Sequence, residues 1–301
     1  MSSSYVIVAN PTSGAKAAPA LATRVTELLR EQGCTAELRL TTAAGDARIF
    51  AKEAAAAGAT AVVGCGGDGT LQEIATSLDG TATALGILPR GRCNDFARAL
   101  GLSKKDPPER LAEILAANRP RAIDLGAWGD KRFLTVATLG FDSEVSRYVE
   151  NHKLWLKGTP SYLYAALRVL SRFKFPFIRL KGDFKTIEGR FLLAATANSS
   201  CYGGAMHIAP EAKVDDGRFH LCVVDQVGKL TVLRILPRVL SGTHATHPAV
   251  RIVTSPTVEI ETPDGPQWIC ADGETLGQTP ARFEIRPGAL KVLAPQNTPA
   301  K

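Results

Sequence analysis

The 301-residue sequence predicts a two-part α/β chain, with a doubly wound, Rossmann-like α/β domain over residues 1–125 and an antiparallel β-sandwich over residues 126–289. Three observations predict it. Short β-branched runs alternate with Ala/Leu-rich helical stretches up to residue 125, alternating runs with Asp-Gly turns follow, and the length suits two domains. A composition of 45% hydrophobic and 22% charged residues excludes a chain dominated by disorder.

In the first part, Tyr5 to Ala9, Thr60 to Gly64 and Ala84 to Leu88 read as buried strands, each ending in a turn signal. Ala18 to Gln32, Ala47 to Ala57 and Leu71 to Ser77 carry helical spacing and helix-forming residues. A β-α-β-α series requires a parallel sheet with helices on its faces, and ligands of such sheets sit at the carboxyl ends of the strands. In the second part, Lys131 to Ala137, Phe191 to Asn198, Phe219 to Asp225, Arg251 to Ile252 and Thr257 to Glu261 read as strands. Turns fall at Asp216-Gly217 and Asp264-Gly265, and two helices are expected, Ser161 to Ser171 and Leu230 to Leu240.

The six cysteines form no C-x-x-C pair or dense framework, which fits a reducing cytoplasm better than a disulfide scaffold or a zinc site. The N-terminus lacks a basic n-region and no stretch reaches spanning length, so membrane contact is expected to be peripheral.

The strongest local signal is Gly64-Cys-Gly-Gly-Asp-Gly-Thr70, after a strand and before a helix. Its spacing satisfies G-x-G-x-x-G, but the motif follows a later strand than in dinucleotide folds and no acid ends the next strand. Asp68 is the odd residue. A carboxylate within a phosphate-cradling turn repels phosphate unless a divalent cation intervenes or it binds hydroxyls, which favours a triphosphate with magnesium. The plainer alternative is a tight glycine turn with Thr70 capping the helix. Two other loops, Asn10-Pro-Thr-Ser-Gly14 and Pro89-Arg-Gly-Arg-Cys-Asn-Asp95, also leave strand ends, and the three would converge on one crevice.

NPTSG, GGDGT and GRCNDFA, in this order and spacing, resemble the diacylglycerol kinase catalytic domain of bacterial lipid kinases, with relatives among sphingosine and ceramide kinases. The resemblance continues through Gly140-Phe-Asp, Pro210 to Gly217 and Asp272-Gly-Glu-Thr. It implies an ATP- and Mg²⁺-dependent lipid kinase, with diacylglycerol as the default acceptor and ceramide or a sphingoid base as alternatives. It also implies a strand near residues 290–294 returning to the first domain. By resemblance Thr41, Gly66, Gly67, Asp68, Gly69, Thr70, Leu71, Gln72 and the Arg92 position line the nucleotide, with Asn10, Lys16 and Asn94 in supporting loops. Arg92 departs from the usual threonine, which changes the geometry of phosphate contact.

Phosphoryl transfer to an alcohol needs a positioned γ-phosphate, charge compensation and a base, and no Walker A motif is present to do the cradling. The resemblance places catalytic acids at Asp272 and Glu274, with Glu274 first as proton acceptor, and Asp68 as the third acid. It also implies a structural magnesium at Lys213-Val-Asp-Asp216-Gly-Arg218, held by Asp216 and neighbouring carbonyls; an ordinary Asp-Gly turn is the plainer reading. From Arg147 to Arg190, ten Lys/Arg face three acids, an excess of seven that equals the net charge of the chain. Interleaved aromatics suit this stretch to an anionic membrane surface, with a solvated charged face as the plainer reading. A nucleic-acid partner is not expected without a recognised binding motif, and a homodimer is left open. Two rival functions are a soluble NAD kinase-like enzyme and a non-catalytic nucleotide-binding module.

Overall fold

A computed structural model describes residues 3–152, 159–204 and 206–296. The chain divides into two units, the first Met1–Leu125 with Val214–Asp216 and Arg286–Lys301, the second Gly126–Lys213 with Gly217–Ile285.

The first unit runs β1 (Ser4–Ala9), α1 (Ala18–Glu31), β2 (Thr35–Leu40), α2 (Asp46–Ala56), β3 (Ala61–Gly66), α3 (Asp68–Leu78), β4 (Ala84–Pro89), α4 (Asp95–Ala99) and α5 (Pro108–Ala116). Then β5 (Pro120–Trp128) carries the chain into the second unit. The strands are parallel in the order β2-β1-β3-β4, and residues 292–293 of the last strand pair beside β4. Every residue of β3 and β4 is buried, as central strands covered on both faces must be, whereas β2 alternates at the edge. Helix α1 buries Leu21, Val25, Leu28 and Leu29 on one stripe. Each such side chain contributes about 1.5–3 kcal/mol, so Leu29→Ala would cost roughly 2–5 kcal/mol. Chain order reverses between β1 and β3, which places the loops after these two strands at the topological switch point.

The second unit contains β6 (Lys131–Phe133), β7 (Val136–Gly140), α6 (Phe141–Asn151), α7 (Thr159–Arg172), β8 (Phe177–Lys181), β9 (Ile187–Ala197), β10 (Phe219–Asp225), α8 (Lys229–Val239) and β11 (Val250–Ser255). It continues with β12 (Thr257–Glu261), β13 (Trp268–Ala271), β14 (Glu274–Gln278) and β15 (Ala281–Leu293), whose far end belongs to the first unit. One antiparallel sheet runs β14-β13-β7-β9-β10-β11 and a second runs β9-β8-β12-β15. Strand β9 serves both, pairing with β8 through 187–190 and lying between β7 and β10 through 193–197. Phe133, Ile178, Phe191, Phe219 and Phe283 belong to one core cluster; the Phe133 ring stacks on Phe219 at 5.7 Å and meets Phe283 edge-on at 5.5 Å. A separate cluster joins Phe141 and Val145 of α6, Ala165 of α7 and Val232 of α8 to Leu192, Cys222 and Val224 of the six-stranded sheet.

The structure corrects three sequence expectations. The single strand expected over Lys131 to Ala137 is two, broken at Leu134 and Thr135, because those backbone N–H groups donate to the Asp272 carboxylate. Helix α3 starts at Asp68 rather than Leu71, so half of the glycine motif is its first turn. A third helix, α6, joins the two expected in the second unit. Its signal was the helical spacing of Phe141, Val145 and Tyr148.

Candidate functional site

Three loops leave the carboxyl ends of β1, β3 and β4. In the first, Asn10 Oδ1 accepts Thr12 N at 3.0 Å and Thr12 Oγ1 at 2.8 Å, an Asx turn that fixes NPTSG. Asn10 N donates to Cys65 O at 3.1 Å and Thr41 N to Ala9 O at 2.9 Å, tying β3 and the end of β2 to the same edge. Lys16 is exposed at the end of a short 3-10 turn, Ser13–Lys16.

The second and third loops meet backbone to backbone. A Cβ on Gly91 would lie 2.3 Å from Gly67 Cα, so no side chain fits at position 91. Gly14, at φ +60°, is equally confined, since a Cβ would lie 2.7 Å from Arg90 O. Gly66 ends β3, Gly67 is the N-cap of α3, and Asp68, Gly69, Thr70, Leu71 and Gln72 follow as its first residues. Leu71 is fully buried in the core, so its side chain packs the helix onto the sheet. The N-terminus of α3, reached through small residues, suits an anionic phosphate chain.

Asp68 joins these loops. Its carboxylate accepts the N–H of Asn94 at 2.9 Å and of Phe96 at 3.4 Å, at the start of α4. Burial raises its pKa above the ordinary carboxylate range, the nearby Asp95 charge adds to the rise, and the donated backbone N–H groups oppose it. Asp95 is itself buried and pairs with Arg98 at 2.7 Å. Asn94, at φ +52°, closes the third loop through its side chain, with Oδ1 accepting Gly91 N at 2.7 Å and Nδ2 donating to Gly91 O at 3.0 Å. Arg92 is exposed on that closed loop, and its carbonyl accepts from Lys104 Nζ.

In the second unit, Asp272 and Gly273 connect β13 to β14 with φ values of +52° and +87°, a two-residue hairpin of the kind that needs positive φ at both positions. The Asp272 carboxylate accepts Leu134 N at 2.7 Å, Thr135 N at 2.9 Å and Thr135 Oγ1 at 2.6 Å. Such a carboxylate is held in one orientation and is engaged by donors that favour its ionised form. Glu274 is exposed at the start of β14. The two acids of Asp-Gly-Glu therefore differ in environment.

Lys213, Asp216 and Arg218 are exposed around the turn at Gly217 (φ +72°). Val214 O accepts Asp124 N at 2.7 Å, and Asp215 pairs with Arg121 at 2.5 Å. Among the described residues no group of three His, Cys, Asp or Glu side chains is placed to hold a metal. The Asp216 carboxylate with main-chain carbonyls is a hard-oxygen donor set, which fits a magnesium ion that keeps several waters.

Sequence reasoning missed two acids. Asp95 is brought beside Asp68 by the fold, a proximity that residues 27 positions apart do not advertise. Asp142, at the start of α6, accepts Thr138 Oγ1 at 3.0 Å, and burial raises its pKa. The Gly140-Phe-Asp run was its only signal. Of the basic stretch, Lys153, Trp155 and Lys157 lie outside the described residues. Arg179, Lys181 and Arg190 are neutralised by Glu188, Glu261 and Asp264. Phe173 packs edge-on against Phe141 and Phe175, so these aromatics support the fold.

The sequence profiles of two families match the chain, "Diacylglycerol kinase catalytic domain" over residues 4–128 and "YegS C-terminal NAD kinase beta sandwich-like domain" over residues 135–294. The chain is 35% identical over 277 residues to a Pseudomonas putida protein named "Probable lipid kinase YegS-like", covering 90% of this chain and 89% of that one. It is 34% identical over 294 residues to a Mycobacterium tuberculosis protein named "Diacylglycerol kinase", covering 96% and 94%. A solved diacylglycerol kinase structure from Bacillus anthracis superposes with a TM-score of 0.76 at 20% identity over 98% of this chain and 97% of that one, a likeness of fold.

Proposed function

We propose a reaction from the premise that this chain belongs to the YegS and diacylglycerol kinase family of lipid kinases: transfer of the γ-phosphate of ATP, with Mg²⁺, to the hydroxyl of a lipid alcohol, with diacylglycerol as acceptor and phosphatidic acid as product. The observation that carries it is the junction of the three loops, in which Gly67 and Gly91 touch and Asp68 gathers the N–H groups of Asn94 and Phe96. This junction leaves the amino end of α3 free of side-chain bulk for a polyphosphate.

Phosphoryl transfer asks for positioning and charge compensation more than for covalent chemistry. Backbone N–H groups at the start of α3, together with Arg92 and Lys16, supply donors and positive charge to the β- and γ-phosphates. Asp68 acts as a positioning residue that fixes the third loop against the second. Glu274 takes the proton of the acceptor hydroxyl, and Asp272, held by Leu134 and Thr135, sets the hairpin from which Glu274 projects. Bound magnesium supplies charge neutralisation on the phosphates, and Asp216 with neighbouring carbonyls holds a structural ion. Six unpaired thiols suit a reducing, cytoplasmic setting, and the exposed Leu163, Leu167 and Leu230 suit work at a bilayer surface.

The test is transfer of label from γ-³²P-ATP to diacylglycerol, ceramide, sphingosine and NAD, with and without Mg²⁺. Labelled phosphatidic acid that requires Mg²⁺ supports the proposal. Label on NAD alone, or on no acceptor, rejects it.

A further inference from the structure

In the second unit, the end of α6, the end of α7 and the start of the chain toward β8 enclose a cavity of about 510 Å³. Its walls include Tyr148, His152, Arg168, Arg172 and Lys174, with Glu144 as the single acid. Glu144 lies 3.6 Å from Arg147, so its charge is already answered. The His152 ring stacks on Tyr148 at 3.9 Å, and its Nδ1 lies 2.9 Å from Tyr148 O, which fixes that wall. Among the described residues Arg168, Arg172 and Lys174 have no acidic partner, whereas Arg179, Arg190 and Arg282 on other surfaces of this unit are paired. Three unanswered cations around one cavity hold a positive field suited to phosphate oxygens.

The outward face of α7 beside these cations is apolar. Leu163 is 62% and Leu167 48% exposed, one turn apart, while Ala165 and Leu170 of the same helix are buried. Leu230 of α8 is 73% exposed, and neighbouring Lys229 donates to Ser171 O at 2.7 Å, so the α8 start adjoins the α7 end. Exposed leucines next to unpaired arginines match a molecule that carries a phosphate and a hydrocarbon body together.

We infer that this cavity binds the phosphate headgroup of an anionic phospholipid, with Arg168, Arg172 and Lys174 around the phosphate and Leu163 and Leu167 against the acyl region. The inference rests on the lipid-kinase reading for its biological sense but concerns a separate site, whose residues are not among those assigned to transfer. Phosphatidic acid, with its phosphomonoester, is the probe of choice.

The experiment is vesicle co-sedimentation of the full chain with phosphatidylcholine vesicles, with and without 20 mol% phosphatidic acid (about one lipid in five, enough to give an anionic surface). Binding is expected only with phosphatidic acid. Arg168→Gln/Arg172→Gln is expected to lose about 30-fold in affinity, which is about 2 kcal/mol at about 1.4 kcal/mol per tenfold, from two charges worth about 1 kcal/mol each. Leu163→Ser/Leu167→Ser is expected to lose binding as well, while both variants keep the melting temperature of the wild type. Wild-type binding left unchanged by either double substitution overturns the inference. So does competition by millimolar inorganic phosphate without any need for the leucines, because the site would then hold free phosphate. Transfer to a detergent-dispersed short-chain diacylglycerol is measured in parallel. Its loss in the wild type refutes the kinase reading without touching the vesicle result.

Discussion

The Asp68 carboxylate accepts the backbone N–H of Asn94 at 2.9 Å, so the loop after β3 and the loop after β4 are held together by one acidic side chain. Burial works against the charged form of Asp68, and a folded pKa above the ordinary 3.8 means that the charge costs stability once the pH exceeds that value. Asp68→Asn removes this cost and also weakens an acceptor worth about 1–2 kcal/mol. The expected outcome at neutral pH is a melting temperature within a few degrees of the wild type, with ATP-dependent transfer lowered by at least about 100-fold. Retained transfer in a folded Asp68→Asn protein would remove Asp68 from the site.

Gly91→Ala places a methyl group against Gly67 Cα, where backbone cannot yield cheaply. A loss of about 1–3 kcal/mol in stability and at least tenfold in ATP affinity is expected by denaturant titration and calorimetric binding. Gly228→Ala, with nothing within 4 Å, serves as the control and should stay within about 0.5 kcal/mol. Equal behaviour of the two variants would show that loop contact is not what shapes the nucleotide site.

Glu274→Gln alters an exposed position and is expected to leave stability within about 0.5 kcal/mol while lowering kcat by roughly 100-fold to 10,000-fold, with loss of the acidic limb of the pH-rate profile. Asp272→Ala frees the N–H groups of Leu134 and Thr135 and should cost about 1–3 kcal/mol as well as activity. If the profile keeps its acidic limb in Glu274→Gln and loses it in Asp272→Asn, the base is Asp272.

His244 is wholly buried, with Nε2 3.0 Å from Ile208 O, and burial lowers its pKa from the ordinary 6.5, helped by the charge of Arg238. The unfolded chain therefore binds a proton at a pH where the folded chain resists it, and stability falls as the pH drops below about 6.5. The melting temperature should decline more steeply between pH 7 and about pH 5 in the wild type than in His244→Leu. Parallel slopes would exclude His244 as the source.

Chelation of divalent cations by EDTA should lower the melting temperature of the wild type by a few degrees and leave that of Asp216→Ala unchanged, as linkage requires of a structural ion. An equal shift in both proteins would place the ion elsewhere.

Much of the first unit was legible because its central strands are uninterrupted apolar runs: Tyr5 to Ala9, Thr60 to Gly64 and Ala84 to Leu88 lie within or beside the observed β1, β3 and β4. The second unit was less so. The first half of β9 alternates between exposed and half-buried, so only its buried half from Phe191 stood out. Short α4 and α5 gave too little periodicity, and the break at Leu134 depends on Asp272, 138 residues away. The site shows the same divide. Glycines announce tight approach, but which backbone they approach, and that Asp95 comes beside Asp68, arise only on folding.

Because the Asn94 side chain and the Gly91 backbone close the third loop by themselves, position 92 contributes a side chain without shaping the turn that presents it. That makes Arg92 an exchangeable fitting on a fixed mount. Restoring threonine there, or grafting arginine into a relative, would retune the choice of nucleoside triphosphate while the scaffold beneath stayed as it is.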